Sequence, residues 1–179
     1  MTVAGVTALI LAGCAGSELQ DAAQVNPTGT PFDVALYQEY IAVSKEEYAQ
    51  GDYSDSDYFA RKAGAAGAGR SPAPDPVNAR PVFAGSVNEM TTFHSRLTAA
   101  LDGNARVRNP EAAACAQAQY DYLLEQWEEN WSFQAAERDG IKMKFLECLG
   151  KIEGKVAPNL VFFDFNKSVI TPDGMSTLR

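Results

Sequence analysis

Two stretches of helical apolar spacing lie back to back between residues 109 and 152, and they constrain the fold more tightly than anything else in the chain. Asn109-Pro110-Glu111 supplies an N-cap, a proline at the first helical position and an acid in the first turn. Tyr120, Leu123, Leu124, Trp127 and Trp131 then recur at the intervals that line one face of a helix. Ile141, Phe145, Leu149 and Ile152 do the same for a second helix, and a reversal over residues 130–134 folds it back on the first. Residues equidistant from the turn of an antiparallel hairpin lie side by side. Cys115 and Cys148 are each about sixteen residues from a turn centred at Trp131 and Ser132, so the hairpin brings them level. One uninterrupted helix would hold them about 50 Å apart at its fixed rise per residue. Their chemical state, two buried thiols or one bond, therefore reports the topology.

More helices are expected upstream. Leu36, Tyr37, Tyr40, Ile41, Ser44 and Tyr48 form an apolar stripe over residues 33–50, which Gly51 ends. Ser54 and Asp57 fit a cap for a second helix running through Tyr58, Phe59 and Lys62 to about residue 66. Tyr48-Ala49-Gln50-Gly51-Asp52-Tyr53 with Phe59-Ala60-Arg61-Lys62-Ala63 resembles one tetratricopeptide unit, but such arrays need several copies to bury their faces, so an ordinary αα-hairpin is the reading taken. Pro72, Pro74, Pro76 and Pro81 make residues 67–83 an extended linker. Ser86-Val87-Asn88-Glu89 fits a capping box for a helix to about Leu101, before Gly103. The fold class is mainly α. A composition of 46% hydrophobic and 21% charged residues supports a buried core. With 15 basic against 23 acidic residues the net charge of −8 offers no basic face to a phosphate backbone, so nucleic acid is not an expected partner.

The N-terminus carries an uncharged apolar run over residues 3–13, too short to span a bilayer permanently and suited to the core of an export signal. It ends in Leu11-Ala12-Gly13-Cys14, which resembles the lipobox of bacterial lipoproteins. That resemblance implies removal of residues 1–13 and a lipid on Cys14. It also implies residence in the outer membrane facing the periplasm, since Ala15 is not the aspartate associated with inner-membrane retention. Residues 14–31, small and polar and ending in Asn26-Pro27-Thr28-Gly29-Thr30-Pro31, read as a flexible tether reaching roughly 20–25 Å. With export placing the chain in an oxidising compartment and lipid occupying Cys14, the even remainder is expected to pair as a Cys115–Cys148 disulfide.

At the other end, Val161, Phe163 and Phe165 alternate within Pro158-Asn159-Leu160-Val161-Phe162-Phe163-Asp164-Phe165-Asn166-Lys167-Ser168, and Thr171-Pro172-Asp173-Gly174 fits a helix start. This stretch resembles the opening of the OmpA-like peptidoglycan-binding domain. The resemblance implies an α+β domain whose first strand and helix start occupy residues 156–179 after a helical domain at 32–155. In that family an Asp and an Arg well after the first strand hold the cell-wall stem peptide. Arg179 falls in what would be the first helix, so no peptidoglycan-binding residue is assigned and the domain reads as truncated.

The expected function is that of a non-catalytic structural tether between outer membrane and peptidoglycan, with wall binding through the complete parent chain. A helical module that recruits another envelope protein is the alternative. His94 has no Ser or Cys partner at a catalytic spacing. Glu125, Glu128 and Glu129 read as a solvated acidic face, and Tyr120 and the tryptophans as core. One histidine and no CxxC leave no zinc set, and no cofactor is expected.

Overall fold

A computed structural model of the chain describes residues 15–128 and 135–153, and the first of these to depart from expectation are those assigned to the free tether. A short helix, α1 (Glu18–Ala22), lies along the next hairpin with Ala22 buried in the core. The amides of Gly16 and Glu18 donate to the two Asp57 carboxylate oxygens at 2.8 and 3.0 Å. The Tyr37 hydroxyl donates to the carbonyls of Ala22 and Val25 at 2.9 and 3.1 Å. Thr28 makes an isolated parallel bridge to Ala68, its amide 2.8 Å from the Gly67 carbonyl. The flexible reading is corrected accordingly. Its small polar residues lack an apolar period of their own, but distant side chains satisfy their backbone groups.

Helix α2 (Pro31–Gln50) opens on a capping box in which the Thr30 hydroxyl accepts from the Asp33 amide and the Asp33 carboxylate accepts from the Thr30 amide. Leu36, Tyr37, Tyr40, Ile41 and Ser44 face inward as the stripe predicted, Phe32 and Val43 join them, and Tyr48 at the end of the stripe is exposed. Gly51 stops the helix at φ 89°. A Cβ there would meet no atom within 4 Å. Gly51→Ala is therefore expected to cost only the left-handed backbone penalty, about 1–2 kcal/mol, read as a lowered urea midpoint; an unchanged midpoint would contradict this account of the turn.

Helix α3 (Tyr53–Gly67) is capped by Asp52, which accepts from the Asp55 amide at 2.9 Å. Ser54 and Asp57, the expected cap, are not the cap, because Asp57 is spent on the N-terminal segment. The chain from 70 to 76 forms neither helix nor strand, in keeping with its prolines, but it is no free linker: Asp75 is buried against the core. Helix α4 (Val87–Ala100) follows a single 3₁₀ turn, so Ser86 has helical backbone and makes no side-chain cap, and Glu89 pairs with Lys142 at 2.5 Å rather than closing a capping box. A kink at 101–105, with Asn104 at φ 83°, leads through the single turn α5 (Arg106–Arg108) to α6 (Pro110–Glu128).

Helix α6 is the axis of the bundle. Every residue from Ala112 to Gln126 is buried, not only the face carrying Tyr120, Leu123 and Leu124. Alanines at 112, 113, 114, 116 and 118 have no bulk to hold neighbours away, so elements close on the helix from all sides. Helix α7 (Ala135–Ile152) returns along it with Ile141, Phe145, Leu149 and Ile152 inward, and α4 joins through Phe93, 5.0 Å from the Phe145 ring. The architecture is mainly helical, and among the described residues there is no strand. The expected OmpA-like strand and helix start at 156–179 and the reversal at 130–134 lie outside the described residues.

Candidate functional site

A polar cluster within the apolar interior of the bundle is built around the Lys62 ammonium. Lys62 of α3 is buried in a helix face otherwise made of Phe59, Ala63 and Ala66, and the fold brings two carboxylates to it. Its Nζ lies 2.6 Å from Asp75 Oδ1 and 2.8 Å from Asp121 Oδ2. Asp121 Oδ1 accepts from the Asp75 amide at 2.8 Å, and the Tyr40 hydroxyl donates to Asp121 Oδ2. Gln117, one turn before Asp121 on α6, donates to the Tyr40 hydroxyl at 3.1 Å and to the Pro72 carbonyl at 2.7 Å. The ammonium also sits 5.2 Å from the Tyr40 ring centre and 5.5 Å from that of Tyr58.

Burial acts against the charge on Lys62, but Asp121 and Asp75 outweigh it and raise its pKa above the ordinary lysine value. Burial, aided by the charge of Asp75, pushes the Asp121 carboxyl above the usual aspartate value although Lys62 and Tyr40 oppose the shift. The same burial, with Asp121 beside it, holds the Tyr40 hydroxyl firmly protonated and well above the usual tyrosine value. Tyr58, nearer the surface, is pushed up to about 12 by desolvation. The cluster thus locks α2, α3, the Pro-rich segment and α6 to one another. Tyr40 and Asp121 are wholly enclosed, and their polar atoms bond one another, Lys62, Gln117 and the Asp75 amide.

The site residues named from sequence fall elsewhere. Cys115 and Cys148 are joined in a disulfide with their Cα atoms 5.9 Å apart, as the level register required. Cys14, Glu129 and Trp131 lie outside the described residues. Glu125 is fully buried, which corrects its placement on a solvated face, while Glu128 pairs with Arg80. His94 is half-buried with its ring 5.6 Å from that of Tyr120, and Tyr120 is core as expected. Among the described residues no three His, Cys, Asp or Glu side chains are grouped to hold a metal. A cavity of about 780 Å³ opens at the start of α2 between Pro31, Phe32, Arg70, Pro72 and Arg106, with the Arg106 guanidinium 5.3 Å from the Phe32 ring. Burial would raise the Asp33 carboxyl at its edge, but hydrogen bonds from Ser71 and Thr30 hold it below the usual aspartate value.

The Lys62 cluster escaped the sequence reading. Its only local trace is the Gln117–Asp121 pair, four residues apart, inside a helix rich in alanine and aromatic residues.

The described residues define a mainly helical, disulfide-clasped bundle with an ion-paired interior. Compared with protein-family models, curated proteins and solved structures, the chain matched none.

Proposed function

We propose that this protein is a non-catalytic lipoprotein of the bacterial outer membrane, held by lipid on Cys14 and linking that membrane to peptidoglycan. The reading is carried by the pairing of two resemblances at opposite ends of one chain: Leu11-Ala12-Gly13-Cys14 after an apolar run, and the OmpA-like order from Val161 to Gly174. The Cys115–Cys148 disulfide supports it, because such bonds persist in oxidising compartments outside the cytoplasm. So does the use of the buried polar side chains as internal ties, which suits a body that must stay folded under load. Because residues 16–28 are packed onto α2 and α3, they cannot supply the reach of a spacer.

Cells fed labelled palmitate are expected to incorporate the label into the wild-type protein and not into Cys14→Ser, and the substituted protein should leave the membrane fraction or stay unprocessed. After envelope cross-linking, the protein carrying a complete OmpA-like domain should sediment with sacculi, and residues 14–179 by themselves should not. Absence of label in the wild type, or absence of the protein with the complete domain from cross-linked sacculi, would overturn the respective half of the proposal.

A further inference from the structure

Where the chain leaves the bundle toward Cys14, it is pressed between two exposed aromatic rings. Gly16 adopts φ 89°, and a Cβ built on it would come within 2.9 Å of both the Tyr48 and Tyr53 rings. Those rings, at the end of α2 and the start of α3, pack edge to face with centroids 5.0 Å apart, yet Tyr48 and Tyr53 keep 41% and 43% of their surface in solvent. The Gly16 and Glu18 amides are tied to Asp57 in the next turn of α3. Phe83, also 41% exposed, stacks on Trp127 at this same end of the bundle, where Arg80 joins Asp55 in the first turn of α3 to Glu128 at the end of α6.

We propose that this end of the bundle, centred on Gly16, Tyr48 and Tyr53, rests directly on the surface of a zwitterionic phospholipid bilayer. The proposal rests on the lipid-anchor reading of Cys14. Gly16 is two residue steps from Cys14, with Ala15 alone between them, and two steps of trans chain span at most about 7 Å. The headgroup layer on each side of a bilayer is about 5–8 Å deep. A thioether-linked diacylglycerol with its chains in the hydrocarbon holds Cys14 at headgroup level, so the Tyr48 and Tyr53 rings cannot stand clear of that layer while Gly16 stays seated between them. Tyrosine suits this depth, since its ring favours the apolar boundary and its hydroxyl the water. The lipid charge follows from the neighbours. Asp52 and Asp57 flank the rings with no ion pair among the described residues, and Arg61 nearby is paired with Glu18 at 3.8 Å. Anionic headgroups would repel this face, whereas phosphatidylcholine or phosphatidylethanolamine would not.

The test couples the processed chain, residues 14–179, through the Cys14 thiol to a maleimide-bearing lipid in phosphatidylcholine vesicles; the disulfide leaves Cys14 the single free thiol of the three cysteines. Hydroxyl-radical footprinting should show several-fold protection of Tyr48 and Tyr53 relative to uncoupled protein in solution. Val107, 85% exposed beside the far end of α2, and Met143, 72% exposed on α7, should react as before. Replacing half the phosphatidylcholine with phosphatidylglycerol should weaken the protection at low salt. Gly16→Val, which forces a side chain into the rings, and the milder Asp57→Ala, which removes the acceptor for both amides, should abolish it. Equal labelling of Tyr48 and Tyr53 on vesicles and in solution, or protection moving to Val107, would overturn the proposal, as would full protection in both variants. Because the lipid is attached chemically, this outcome is independent of whether cells acylate Cys14, which palmitate labelling decides separately.

Discussion

Lys62→Met is expected to lower the unfolding free energy by about 3–5 kcal/mol at neutral pH, the range found when one partner of a buried ion pair is removed. Methionine fills much of the space of the lysine stem, so the loss is electrostatic in origin: Asp75 and Asp121 remain in the interior without the ammonium that lay 2.6 and 2.8 Å from them. The loss should depend on pH with a definite sign. Burial already raises the folded-state pKa of Asp121, and Lys62 opposes that shift, so removing Lys62 raises it further. The folded variant then holds a proton that the unfolded chain releases above about pH 4. Its stability accordingly falls as pH rises through the window between the unfolded and folded values, and acidification from neutral pH shrinks the gap to the wild type. Urea unfolding of both proteins at pH 7 and pH 4.5 measures this gap, and a gap that stays constant or widens on acidification would refute the assignment. Combining Lys62→Met with Asp121→Asn should cost less than the sum of the single changes, because the second removes the anion that the first left unpaired.

Opening the disulfide should cost nearly as much. Cys115 and Cys148 close a loop of 33 residues, for which the chain-entropy relation gives about 3–4 kcal/mol. Cys115→Ala and Cys148→Ala should therefore lose similar amounts, since either change opens the same loop and both side chains are buried. Reductant should bring the wild type down toward the variants and leave the variants where they are. The unfolding midpoint under oxidising and reducing conditions reads this directly, and a wild type that alkylates at both cysteines in its native state would remove the clasp. The clasp and the Lys62 cluster fix different neighbours of α6, so their losses should add. One ties α6 to α7, and the other ties it to α2, α3 and the segment ending at Asp75.

What the sequence determined by itself is the long helices α2, α3, α4, α6 and α7 and the pairing of the last two, but not the short α1 and α5. Apolar residues at helical intervals need only neighbours three and four positions away to declare a helix, and Gly51 and Asn109-Pro110 mark ends through backbone conformations they favour locally. The level of Cys115 with Cys148 followed from counting back from one reversal. Tertiary structure alone decided that residues 16–28 are part of the body, that Asp52 rather than Ser54 caps α3, that α6 is buried on every side, and that an ion-paired cluster sits within the apolar core. The contacts responsible are far apart in the chain: Gly16 to Asp57 spans 41 residues, Asp75 to Asp121 spans 46, Lys62 to Asp121 spans 59, and Tyr40 to Asp121 spans 81. A backbone amide or a carboxylate gives no sign, within its own few residues, of which distant group will satisfy it. Only the packing of the alanine-rich axis brings those groups within hydrogen-bonding reach.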